Sequence, residues 1–108
     1  MKFPDPYRSV RSKMTALERW ILVHSIIYYR LSESIVSDHE YDSNEHQLMK
    51  LITKYPKQFK KTKYYEAFKD FDGNTGFDLF SKLSGEDQLD IRNTAEYVVF
   101  LYDKKHQY

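Results

Sequence analysis

Tyr28-Tyr29, followed eight residues later by Ser37-Asp38-His39-Glu40-Tyr41-Asp42, is the stretch on which the reading of this chain turns. The two aromatics end one helical pattern, and the two carboxylates and a third aromatic open the next. Asp38, Tyr41 and Asp42 stand at i, i+3 and i+4, which places them on one face of a helix's first turn. A short connection folds that turn back toward Tyr28 and Tyr29. Flat rings would then wall a small cleft with carboxylates at its rim, an arrangement suited to a planar, positively charged heteroaromatic ring.

The patterns on either side support two helices. From Met14 to Leu31 the positions 14, 17, 21, 24, 28 and 31 are apolar or aromatic, with His24 counted among them, and recur at spacings of three and four. Leu22, Ile26 and Tyr29 widen this stripe, so the helix is expected to be covered on more than one side. Ser12 or Thr15 would cap it, after a Pro-punctuated, loosely ordered arm over residues 1–12. Ser37 offers a hydroxyl cap to the second helix, with Glu40 three residues on as in a capping box. Asp38 and Asp42 suit the positive end of its dipole. That helix runs through Leu48, Leu51, Ile52 and Tyr55 and stops before Pro56. Helix, short loop and helix make an antiparallel hairpin over residues 14–56.

His24, Tyr28, Tyr29, Val36-Ser37-Asp38, Glu40-Tyr41-Asp42 and Tyr55-Pro56 together resemble the amino-terminal Ia domain of bacterial NAD-dependent DNA ligases. In that family a helix ends in H-x-x-x-Y-[YH]. A short loop then reads I-[SP]-D-x-E-Y-D, and a second helix closes before a Pro. The resemblance covers roughly residues 14–58 and needs no gap. It implies recognition of the nicotinamide mononucleotide (NMN) half of NAD, with Tyr28, Tyr29, Asp38, Tyr41 and Asp42 in that role. Two departures stand out. The family continues Y-D-x-L, whereas Asn44 holds the Leu position here, which alters how the second helix packs. The K-x-D-G motif that carries the ligases' nucleophile has only an overlong counterpart, Lys69-Asp70-Phe71-Asp72-Gly73. The chain therefore reads as a non-catalytic binding protein rather than a ligase, requiring no cofactor for chemistry, with NMN or NAD as its ligand.

The remainder, residues 57–108, is expected to be a helical extension of the same single domain. Residues 57–63 are Lys-rich and read as a linker or extended segment, and Lys63 to Phe71 as a short helix. Asp72-Gly73-Asn74-Thr75-Gly76 is a turn, and Phe77 to Leu83 a further helical turn or two. Ser84 caps a last helix, with Asp87 at its third position, ending near Lys104 and Lys105. Strand signals are weak, and the fold class is all-α.

Composition narrows the function. The 108 residues include ten Tyr and seven Phe, which give a small core large side chains and leave others for partner surfaces. There is no Cys, so neither a disulfide framework nor a thiolate metal site is available. No apolar run approaches the ~20 residues of a membrane span, and Met1 to Pro6 lack a signal-peptide pattern. A cytoplasmic location is the expectation. The net charge of +1 hides an asymmetry: twelve Lys/Arg against seven Asp/Glu through Lys63, then five against nine.

Other constellations are weaker. Asp70-Phe71-Asp72-Gly73-Asn74 begins like an EF-hand loop, but Thr75 and Ser81 hold the positions that need Gly and a bidentate Glu. His39 and His46 lie seven apart on one helix and could meet a third ligand, but the histidines form no H-E-x-x-H or Cys/His set and no metal site is expected. His24 reads as a packed histidine. From Lys54 to Tyr65, Lys54, Lys57, Lys60, Lys61 and Lys63 alternate with aromatics, a pattern able to contact phosphates and unpaired bases. Two further readings follow. One is a protein-interaction module, phage or mobile-element encoded, docking on a replication or repair factor or another host protein. The other is a nucleic-acid binder acting through the Lys54–Tyr65 segment.

Overall fold

The computed structural model describes residues 5–29, 31, 35–73 and 78–105. Among them are five α-helices, one 3₁₀ turn and no strand. These are α1 (Arg8–Tyr29), α2 (Asp38–Lys54), α3 (Pro56–Phe59), α4 (Tyr65–Phe68), the 3₁₀ turn Phe80–Lys82, and α5 (Gly85–Lys105). The all-α class stands.

α1 is the central element, packed against α2 on one side and α5 on another. Its buried residues, Met14, Glu18, Ile21, Leu22, Val23, Ser25, Ile26 and Ile27, lie on more than one face, as the widened stripe required. Its start differs from expectation. α1 begins at Arg8, inside the stretch read as an arm, and Ser12 and Thr15 lie within the helix rather than capping it. Asp5 explains this. Its side chain accepts a hydrogen bond from the Tyr7 N–H at 2.9 Å, and its carbonyl accepts one from the Arg8 N–H. Pro6, with no N–H to satisfy, sits where a helix's first turn tolerates it. Arg11 reaches back to pair with Asp5, holding the Asp5 carboxyl below the usual carboxylate range.

α2 follows the sequence closely. Ser37 has extended backbone angles (φ −71°, ψ 156°), and its hydroxyl accepts from the Glu40 N–H at 3.0 Å. Tyr55 closes the helix, donating to Leu51 O at 2.8 Å, and Pro56 then opens α3. Ser84 caps α5 as expected, accepting from the Asp87 N–H at 3.2 Å.

The Lys-rich segment departs from expectation. It holds α3 and a further tight turn, and it buries Gln58, Phe59 and Thr62. Phe59 contacts Tyr65 edge to face at 4.9 Å, and Gln58 Oε1 accepts from Arg11 at 2.7 Å. The apolar and amide side chains turn in, while Lys57, Lys60, Lys61 and Lys63 stay exposed. A helical turn follows at α4, shorter than the Lys63–Phe71 expectation. Gly73 adopts φ +89°, which an L side chain rarely takes, and a Cβ there would lie 2.7 Å from Met49 Cγ. The rest of that turn, Asn74 to Gly76, lies outside the described residues. So do Phe77, His106 and, in the α1–α2 connection, Ser32 to Ser34.

Candidate functional site

The end of α1 and the start of α2 carry the five residues expected to bind ligand. Tyr28 and Tyr29 are adjacent and exposed (54% and 43%), their rings edge to face with centroids 4.9 Å apart. Asp38 and Asp42 stand exposed in the first turns of α2. The Ser37 cap sets their orientation by fixing where the helix begins.

Tyr41 has a different environment. Its ring is half-buried, 5.8 Å from Trp20, which itself lies 4.4 Å from the His24 ring. Tyr41, Trp20 and His24 thus form a continuous aromatic run between the two helices. His24 is packed as expected, and burial lowers its pKa against the opposing pull of Glu40. The Tyr41 hydroxyl is buried and makes no hydrogen bond. Neighbouring Ser25 donates its own proton to Leu22 O at 2.9 Å. Burial pushes the Tyr41 phenol well above its ordinary pKa, and the proximity of Glu45, Tyr29 and Asp42 adds to the shift. Tyr29 and Asp42 each lie within electrostatic range of the Tyr41 hydroxyl.

Glu45, one turn beyond Tyr41, escaped the sequence reading. It is 1% exposed, and its Oε2 has no hydrogen-bond partner. Burial, then the charges of Asp42 and Asp72, raise its pKa to about 8, so it is largely protonated at neutral pH. A signal was present: Glu45 falls between Tyr41 and Leu48 on the inward stripe of α2, where an apolar residue is usual. At Glu18, burial again dominates and raises the pKa to about 7, with hydrogen bonds from Thr62 and the Tyr64 backbone opposing it. The Thr62 hydroxyl lies 2.9 Å from Glu18 Oε2 and 2.8 Å from Phe59 O. A hydroxyl has one proton to give. Thr62 therefore donates either to the Glu18 carboxylate or, when Glu18 is protonated and donates in its place, to Phe59.

The expected basic residues divide. Lys54 lies over the Tyr55 ring at 5.5 Å. Lys63 lies over the Tyr64 ring at 5.4 Å and borders a groove of about 480 Å³ that is also lined by Arg8, Arg11, Ser12, Thr15 and Arg19. The sequence reading missed this arginine row, although Arg8, Arg11 and Arg19 share one helical face. Its charge is partly spent within the fold, since Arg11 pairs with Asp5 and Arg19 with Asp90 at 2.8 Å. Among the described residues no group of three His, Asp or Glu side chains could hold a metal ion. No described helix is long and apolar enough to cross a membrane.

With this geometry in view, comparison with known families gives a match. The family described as "DNA ligase-like, N-terminal NAD+-binding domain" matches residues 7–62. The chain belongs to this family. The match takes in α1, α2 and α3 entire, and with them all five expected ligand residues and Glu45. No curated protein and no solved structure matches the chain. The ligase-like Ia resemblance is thereby shown, and with it an NAD+-binding type of domain.

Proposed function

We propose that the protein binds the nicotinamide mononucleotide part of NAD between the end of α1 and the first turns of α2, without itself performing chemistry. The observation that carries this reading is the family match over the whole hairpin, which contains Tyr28, Tyr29, Asp38, Tyr41 and Asp42. Exposed Tyr28 and the outer face of Tyr41 bracket a flat cationic ring. Tyr41 is held for this by its packing on Trp20. Asp38 and Asp42 accept hydrogen bonds from the carboxamide or ribose and complement the ring's charge, and Tyr29 offers a hydroxyl to the ribose or phosphate.

Calorimetric titration with NMN, NAD and adenosine monophosphate tests the proposal. The expected outcome is binding of the first two and not of the third. Asp38→Ala and Tyr41→Ala should each abolish binding while far-ultraviolet circular dichroism keeps its helical signal. Unchanged affinity in both variants would overturn the assignment.

A second reading, the protein-interaction module, is supported by α5, whose outward face exposes Leu89, Tyr97, Phe100 and Leu101. A third, nucleic-acid contact through Lys54–Tyr65, draws on the groove shared by Lys63 and the α1 arginines. Affinity for an oligonucleotide that falls steeply with added salt would support the latter, and a flat response would count against it.

A further inference from the structure

α5 is apolar on two sides. Ile91 and Ala95 are fully buried, and Val98 and Val99 pack against the same core. On the opposite side Leu89, Tyr97, Phe100 and Leu101 are 61%, 60%, 57% and 46% exposed, and the Tyr97 and Phe100 rings stack with centroids 6.4 Å apart. A helix exposing four large apolar side chains on one side while burying its other face in the core is unusual for a lone surface helix.

The stripe reads Glu86, Leu89, Asn93, Tyr97, Phe100, Lys104, at spacings of three and four, with every member exposed. Glu86 and Lys104 are about five turns apart, so both end charges lie on the same line along the helix. Neither has an ion-pair partner among the described residues.

This order of side chains complements itself when reversed. We infer that α5 is the interface of a two-fold dimer, in which the helices of two copies run antiparallel through this stripe. Glu86 then faces Lys104 of the second copy, Leu89 faces Phe100, and Asn93 faces Tyr97, each contact occurring twice, with Leu101 at the flank. The acidic start of each helix (Glu86, Asp87) meets the basic end of the other (Lys104, Lys105), and the helix dipoles oppose. A parallel pair would set Glu86 against Glu86 and Lys104 against Lys104, which like-charge repulsion disfavours. An isologous contact of this kind closes on itself and needs no other partner. One helix face per copy is near the lower end of specific interfaces, roughly 1,200 Å² in total. The inference does not rest on nucleotide binding, because α5 lies beyond the family-matched segment.

Sedimentation equilibrium of the full chain at about 100 µM should give twice the chain mass. Glu86→Lys should weaken the dimer roughly tenfold by turning two attractions into repulsions. Adding Lys104→Glu to the same chain should restore it. The chain has no Cys, so an Asn93→Cys variant mixed with a Tyr97→Cys variant should form a disulfide between the two on oxidation. Either variant alone should not. Tyr97→Glu with Phe100→Glu should be monomeric with unchanged helical content. A monomer at that concentration, a double charge reversal as weak as the single one, or cross-linking within the Asn93→Cys variant alone would each overturn the inference.

Discussion

Glu18 and Glu45 are the two residues whose protonation the fold most disturbs. Each is fully buried with one carboxyl oxygen lacking a partner. Their pKa values are raised to about 7 and about 8, so the folded chain holds protons that the unfolded chain has released. By linkage, the stability this contributes is complete below the ordinary glutamate pKa. It is lost as pH rises, through about 7 for Glu18 and about 8 for Glu45. Glu18→Gln and Glu45→Gln, which keep the shape without the ionisation, should melt near the parent's temperature at about pH 5. They should melt above it at about pH 8, the difference growing between and levelling off beyond. Thermal melts of parent and variants across that range check this. His24, lowered by burial, acts in the opposite sense at the acid end. It is common to all three proteins and cancels in the comparison. A difference independent of pH would mean that the acids are hydrated in solution. Glu45 also bears on the ligand site, since its neutral form spares Tyr41 and Asp42 a further negative charge beneath them.

At the scale of elements, the hairpin is set by its caps. Ser37 satisfies the Glu40 N–H and thereby fixes which residues occupy α2's first turn. Ser37→Ala should cost about 1 kcal/mol of stability, measured by urea unfolding. It should also weaken nucleotide binding more than it weakens the fold, because Asp38, Tyr41 and Asp42 depend on that turn for their orientation. Equal losses in stability and binding would mean that the cap serves the fold alone. α1 shows the same principle where it was harder to read. Asp5 and Pro6 start the helix, ahead of the hydroxyl residues Ser12 and Thr15 that its apolar stripe suggested.

Across the whole molecule, Arg19 joins the family-matched hairpin to the C-terminal half. It donates to Asp90 at 2.8 Å, Thr94 at 2.8 Å and the Tyr64 hydroxyl at 2.9 Å, spanning α1, α5 and the segment before α4. Arg19→Met should cost about 1–2 kcal/mol, with amide exchange accelerating most in α5. The ion pair is partly exposed, so most of that loss falls on the hydrogen bonds rather than on charge attraction. Uniform acceleration across α1 and α5 would show that the two unfold together. The sequence by itself determined the local elements. The period of α1, the Ser37 and Ser84 caps, and the stop at Pro56 are all relations among residues within a few positions of each other. The family resemblance, carried by the same short spacings, was legible for the same reason. Only the tertiary structure decided that Phe59, Gln58 and Thr62 turn a lysine-rich stretch into core. The same holds for the burial of Glu18 and Glu45, and for the meeting of Lys63 with Arg8, Arg11 and Arg19 in one groove. These depend on which faces of distant segments pack together, and burial, unlike helical period, is a property of the partners rather than of the local chain.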